Sequence, residues 1–535
     1  SSHFGSRCFA REWHAGAKRD RPAMVQPSLQ RALRRRAPGL ATRCRKVTGL
    51  LCVTVTALAL PSALRGTSAA FIAGPVSSLQ GYIAQSFYHK FIPPLFLATV
   101  VLAAFARPST QEAIPPGFRR FQVYYLVAWA WCVGADWLQG PYVYALYDAY
   151  GYSKRDIAQL FVAGFGSSMV FGCFVGSFAD RFGRKKTCLA YCVLYTVSCL
   201  TKHFNHYWIS MVGRIAGGIA TSMLFSGFEC WMVSTHLVKN GFSGGLLSYM
   251  FGAMFILMYF VAILSGFVAQ SVADNFAFAP ISEGSIIYAG GFCAPFDVSI
   301  VCLVLGFVAI ACCWDEVYGE LGGDSAGGQF GVSCRVLIGD LRLMMLGLVV
   351  ACFEGAMFAF VFNWTPVLDS EDTSTPHGLI FAAFMMACMC GACVATIAGD
   401  AIKAVTKLIC IFVCAAIALA VVAMGVGHQA RCFTCFLIFE FCVGVYFPAC
   451  GMLKSEVVPE NVRTTLYNFY RVPLNAVVVG LLLTDLSLVQ CFGLCALLVS
   501  FALVCILCIA PISPGASPQQ TSTPSRPEMK QRKDV

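Results

Sequence analysis

Charge is the first thing this sequence is short of. Only 12% of its 535 residues are Asp, Glu, Lys or Arg, 58% are hydrophobic, and the mean hydropathy is +0.70. A soluble chain carries about twice that share of charge, so there are too few polar side chains to cover a large globule. That excludes a soluble enzyme, a secreted disulfide scaffold and an ordinary nucleic-acid binder. Acid is scarce in the first 90 residues, which hold 14 Lys+Arg and 2 Asp+Glu for a charge of +12. The other 445 hold 24 and 25, for −1, so the formal net charge of +11 belongs wholly to a leader. No Gly-rich P-loop occurs, which removes ATP-driven transport. No nucleophile–base pair stands out, and no enzyme activity is expected. The 28 cysteines lie mostly in apolar runs, where they act as small hydrophobes. The spacings Cys390/Cys393 and Cys432/Cys435 have no matching second pair, so neither a metal nor a cofactor is expected.

What is present in quantity is apolar runs long enough to cross a bilayer. After a short one at Phe91 to Ala106, twelve more follow near 121–147, 157–179, 187–204, 207–235, 246–271, 296–314, 341–368, 377–399, 402–424, 431–453, 465–484 and 487–510. The Gly/Asp-rich stretch 315–340 divides the twelve into six plus six. The expected fold is all-α and polytopic: two six-helix halves, 121–314 and 341–510, plus one extra N-terminal helix at 91–106. Residues 511–535, rich in Pro, Ser and Thr, read as a disordered tail. Residues 1–90 read as a signal or targeting segment or a basic tail. A basic stretch (Arg31 to Lys46) precedes an apolar run (Val47 to Leu60) and small residues. Alternate loops carry 19 and 4 basic residues, the four being Lys154, Arg155, Lys202 and Arg431. The richer class is assigned to the cytosol, which places the central loop and the tail there.

Six plus six helices with a long middle loop is the major facilitator architecture. The segment Gly176-Ser-Phe-Ala-Asp180-Arg181-Phe-Gly183-Arg184-Lys185-Lys186 resembles that superfamily's loop between its second and third helices, a conformational switch. Arg214-Ile-Ala-Gly217-Gly218 resembles its R-x-x-G-G motif. More specific strings are Ala135-Asp136-Trp137-Leu138-Gln139-Gly140-Pro141-Tyr142, Phe362-Asn363-Trp364-Thr365-Pro366 and Phe469-Tyr470-Arg471-Val472-Pro473. These resemble the molybdate-anion transporter family across about 91–510. That resemblance implies molybdate uptake at a plasma membrane. An internal or plastid membrane stays open because of the basic leader. The alternatives are transport of another anion or a small organic solute, and a non-transporting receptor or sensor. The expected partners are molybdate or a related oxyanion, protons and the lipid bilayer, with no nucleic acid, and the chain is expected to be a monomer.

A tetrahedral dianion crossing a dry path needs cations and several donors. Ionisable groups inside membrane helices are costly and mark function. Arg214 is the basic residue set well inside a core helix, about 10 Å from its start. It reads as an anion ligand, as the partner of a coupling carboxylate, or as the permanent partner of a structural one such as Asp136. The candidate substrate residues are Arg214, Asp136, Gln139, Tyr142, Asn363, Trp364 and Arg471. Arg471 reads alternatively as a helix cap or a partner for Asp180. Gly140-Pro141 and Pro366 read either as broken helices at corresponding places in the two halves, facing a midline cavity, or as packing kinks. Glu229, Glu354 and Glu440 are candidates for proton coupling, since a buried carboxyl can hold a proton near neutral pH.

Overall fold

The computed structural model describes residues 86–172, 174–318, 334–369, 375–459 and 463–509. The leader to 85, most of the central loop and the tail from 510 lie outside these residues, as do the expectations placed on them. Among the described residues, α-helices carry the fold. They are α1 (Ile92–Phe105), α2 (Phe118–Gln139), α3 (Val143–Ala149), α4 (Lys154–Gly172), α5 (Val175–Phe182), α6 (Arg184–Thr201), α7 (Tyr207–Ser234), α8 (Gly244–Asn275), α9 (Ala294–Cys313), α10 (Leu341–Leu368), α11 (His377–Ala398), α12 (Ala404–Gly425), α13 (Gln429–Val457), α14 (Arg463–Leu483) and α15 (Leu488–Ile509). Among the described residues, nine helical spans are long and apolar enough to cross a membrane. A two-stranded hairpin, β1 (Ala279–Pro280) with β2 (Tyr288–Ala289), lies between α8 and α9.

The chain repeats one packing pattern. In the first half α4 packs on α7, α7 on α6, α6 on α9, α9 on α2 and α2 on α8. In the second half α11 packs on α13, α13 on α12, α12 on α15, α15 on α10 and α10 on α14. The order of neighbours is identical when each half is counted from its own first helix. The halves meet along α8 with α11 and α4 with α14, again equivalent pairs. Two apolar clusters form, one mostly in each half, each taking in a few residues of the other where the halves meet.

Glycines set how closely these helices approach. A methyl group on Gly218 of α7 would lie 2.1 Å from the Gly164 carbonyl of α4, and one on Gly217 would lie 2.7 Å from Ser198 Oγ of α6. The R-x-x-G-G string therefore seats α7 against two neighbours at once and fixes where Arg214 points.

Gly140-Pro141 does interrupt its helix: α2 ends at Gln139 and α3 resumes at Val143. The break expected at Pro366 is corrected, because α10 runs through it to Leu368. Pro366 stands two residues from the helix end, where it removes one backbone bond of the last turn, and Asp369 N still bonds Thr365 O at 2.9 Å. The extra helix α1 docks on the second half. Thr99 Oγ1 donates to Leu95 O (2.7 Å) and lies 3.4 Å from Cys390 Sγ of α11, and Tyr88 packs edge-on to Phe433. The segment that follows crosses to the first half, where Ser243 Oγ donates to Glu112 and Pro108 lies against Gly252.

Candidate functional site

Arg214 sits on α7 with its guanidinium over the Phe161 ring, 4.5 Å from the centroid, and its Nε donating to Leu160 O at 3.1 Å. It lies flat on Gly164, whose Cβ, if it had one, would be 2.8 Å from Nη2. Among the described residues no carboxylate is within ion-pair distance of it. Asp136 is engaged elsewhere, accepting from Tyr195 Oη on α6, so the Arg214–Asp136 pair is not formed. Phe161 in turn packs edge-on against Phe362 of the second half, with centroids 5.2 Å apart. Arg214 is thus half-buried at the boundary between the halves, toward the end opposite the basic loops.

At the same end of the bundle is a cation that sequence reasoning misplaced. Lys202 follows the last residue of α6 and reads as a loop charge, yet it is 1% exposed. Its Nζ donates to Tyr147 Oη at 2.6 Å and lies 5.1 Å from that ring's centroid. The turn is closed over by the hairpin: Tyr288 N bonds His203 O (2.8 Å), Asn205 N bonds Ile286 O (2.7 Å), and Tyr150 Oη bonds Lys202 O (2.6 Å). The only available signal was its place directly before the turn into the Arg214 helix.

A second charged group lies toward the basic end. Arg471 of α14 reaches α4, where Gly172 would carry a Cβ 3.2 Å from Nη1. Lys454, also read as a loop charge, is inside α13 and buried. Its Nζ is 3.7 Å from Glu354 Oε1 of α10, and Tyr446 Oη donates to that same oxygen at 2.9 Å. Glu354 is therefore held by a cation.

The remaining candidates do not converge on these two centres. Gln139 Nε2 bonds Ala135 O of its own helix at 3.1 Å. Tyr142 Oη donates to Gln270 Oε1 (3.2 Å), which also accepts Gly378 N (2.9 Å) and so ties the halves together. Asn363 Nδ2 bonds Ala359 O (2.9 Å) and Cys491 Sγ (3.4 Å), and Trp364 packs between His377 and Phe384. Glu229 is buried in α7. Glu440 is buried in α13, and the Cys388 thiol of α11 lies 4.0 Å from Tyr259 Oη of the first half.

The loop from Gly176 to Lys186 is latched to the end of α9. Arg184 Nη2 pairs with Asp180 at 2.7 Å, so Asp180 is not the partner of Arg471. Arg181 lies over the Phe182 ring. Gly183 has φ +110°, a turn that a side chain would strain. The Glu316 carboxylate accepts from Lys185 N (2.8 Å) and Lys186 N (3.2 Å), capping the N-terminus of α6. Lys185 Nζ reaches the carbonyls of Ala311 and Trp314.

Two repeated helical bundles, with cations of each half turned to the surface between them, define a transporter of the major facilitator fold. A D-xylose-proton symporter shares it, with a TM-score of 0.56 at 12% identity, covering 72% of this chain and 97% of the other. An auto-inhibited POT family peptide transporter superposes with a TM-score of 0.55 at 11% identity, covering 76% and 99%. Residues 87–444 match the model of a family described as sugar transporters, 12 TM. The Molybdate-anion transporter of Xenopus tropicalis is 32% identical over 421 residues, 76% of this chain and 89% of that one. The protein of the same name from Danio rerio is 32% identical over 429 residues, 73% and 82%. The chain belongs to the molybdate-anion transporter family.

Proposed function

We propose that the chain moves molybdate toward the end bearing the basic loops, the cytosol, by alternating access of its two halves. The observation that carries this is the placement of Arg214 and Arg471. One cation comes from each half, and each lies against a glycine of the same helix α4, Gly164 and Gly172. Eight residues separate these glycines, about 12 Å along the axis, with Gly166, Ser167 and Ser168 between. An oxyanion passed from Arg214 to Arg471 would cross the interface without leaving a cation behind it. Rocking one half against the other exposes the two ends in turn.

A dianion entering an inside-negative cell works against about 2.3 kcal/mol per charge per 100 mV, which proton co-transport offsets. Glu440 is the coupling carboxylate, because it is buried in α13 with no cation within ion-pair distance among the described residues, whereas Glu354 is already held by Lys454. Uptake of molybdate into vesicles reconstituted with the purified protein, with and without an imposed pH gradient, tests this reading. Accumulation driven by an acidic exterior, and its loss in Arg214→Gln, is the expected result. Uptake undisturbed by removing Arg214 and Arg471 together refutes the path. Competition by sulfate or by xylose separates an oxyanion carrier from a carrier of organic solutes. Binding without accumulation would mark a receptor. A C-terminal fluorescent fusion is expected at the plasma membrane.

A further inference from the structure

We infer that His377 is the gating residue through which protons on the outer side act on transport: a proton on its unpartnered ring nitrogen opposes closure at the end away from the basic loops. This rests on the alternating-access reading above and names the group at its outer end that answers to pH.

His377 is the first residue of α11, one position before the Gly378 that lies against Gly266 of α8. It is 5% exposed. Its Nε2 meets Asp369 Oδ1 at 2.8 Å, and both residues belong to the second half. Its ring packs across the boundary, against Tyr142 (centroids 5.8 Å) and Phe292 (6.3 Å) of the first half, with Trp364 of its own half at 6.0 Å. Its Nδ1 is enclosed and has no hydrogen-bond partner among the described residues. A titratable side chain thus stands on the seam with one nitrogen spoken for and the other facing rings.

With Nε2 donating to Asp369, the Nδ1 of a neutral imidazole is a bare lone pair. A proton turns it into a donor on a cation, enclosed and without an acceptor. An enclosed lone pair is unfavourable too, but a charged donor left unmatched is more so. The bond to Asp369 does not decide between the two arrangements of the halves, because both its partners move together and it is present in each. What changes is the surroundings of Nδ1: Tyr142 and Phe292 while the halves touch, water once they part. A proton is therefore held more readily in the open arrangement, and by linkage it favours opening.

Other ionisable groups stand around this corner. Asp369 and Tyr142 touch the ring, and Asp274 of α8 is held by Gln270 Nε2 at 2.8 and 2.9 Å. Asp148 lies on α3, Tyr88 and His89 precede α1, and His428 and Arg431 lie at the start of α13. Asp148 and Asp274 move with the first half, so their attraction for a charged imidazole works against opening. Both are exposed, and water and salt screen such charges. The enclosed donor outweighs them. An acidic exterior then opens the mouth in the same arrangement that admits the oxyanion, and loss of the proton lets the halves close behind it.

The test is hydrogen exchange on the full-length protein in lipid nanodiscs, with rates corrected for the intrinsic pH dependence of exchange. Protection at the start of α11 and the matching end of α8 should fall by on the order of tenfold from about pH 7.5 to about pH 5.5, either side of the ordinary imidazole range. His377→Gln keeps a donor for Asp369 and does not titrate, so the fall should vanish there, and with it the difference in molybdate KM between the two pH values in vesicles. Wild-type protection that is unchanged or greater in acid overturns the inference without recourse to a variant. So does a fall that persists in folded His377→Gln protein. A closure that answers to pH in protein that takes up molybdate at neither pH overturns the transport reading instead and leaves the response of the closure standing.

Discussion

In the alternating-access reading proposed above, the end opposite the basic loops is closed where two glycines face one another, Gly266 of α8 and Gly378 of α11. A Cβ on Gly378 would lie 2.4 Å from Gly266 O and 2.7 Å from Gln270 N. Both obstacles are backbone, so no rotamer change relieves the clash, and the helices must separate. Overpacking of this kind costs about 1–3 kcal/mol. Because α8 and α11 belong to different halves, that cost falls on the closed state and not on the fold of either half. Gly378→Ala should therefore raise the population open at this end by about 5- to 150-fold. Separation also breaks the bonds from Gly378 N and Leu379 N to Gln270 Oε1 (2.9 and 3.3 Å). Hydrogen exchange read by mass spectrometry is the assay: amides at the start of α11 and the matching end of α8 should exchange faster in proportion to the open population. Gly480→Ala is the control, since a Cβ there meets nothing within 4 Å. Unaltered exchange at α11 in a folded Gly378→Ala protein would refute the assignment of this contact as the closure.

Three further expectations can be checked on purified protein in detergent. Glu316→Ala removes the acceptor for two N–H groups of α6 and should lower stability by about 0.5–2 kcal/mol, read by thermal unfolding. His203 Nε2 is 3.1 Å from Asp297; burial works against its charged form, but the facing Asp297 and Cys293 outweigh it and raise the imidazole to about 10. The folded value lies above the unfolded one, so this contribution is complete below about pH 6.5 and disappears as pH climbs through about 10. Asp297→Asn should flatten that part of the stability profile. Glu354→Gln and Lys454→Met should each destabilise, and the double variant should cost less than their sum by about 0.5–3 kcal/mol; strict additivity would show that the pair is not coupled.

Helices were legible because hydropathy reports them directly. Their interiors were less so, for a reason that concerns side-chain length. Lys202 and Lys454 sit at or near helix ends, where a one-dimensional reading counts a lysine as a loop charge. A lysine stem is long enough to carry its ammonium back into the bundle, and both do so, one to Tyr147 and the other to Glu354. The loop Gly176 to Lys186 was legible as a motif but not as a mechanism, since its anchor, Glu316, lies 130 residues from Lys186 in the chain. Asn363 and Trp364 were read as midline groups from a proline break that α10 does not have; with the helix continuous, they face its packed side. Arg214 was read correctly as a core cation, but its isolation from Asp136 could not be, because Tyr195 is what satisfies that carboxylate.

These particulars change what the neutral membrane body means. A charge of −1 over 445 residues suggested cations that merely set orientation. In the fold, the cations that leave the loops divide into two kinds. Lys454 is matched by Glu354, whereas Lys202, Arg214 and Lys407 donate to neutral oxygens, of Tyr147, of Leu160, and of Ala395 and Gly399. Low dielectric makes a buried cation without a counter-charge costly. Arg214 is the one of these that lies on Phe161, against Phe362 of the other half, where an anion on the proposed path would meet it. Removing its charge is therefore the more telling substitution: on that reading it should relieve the empty protein while depriving the loaded one.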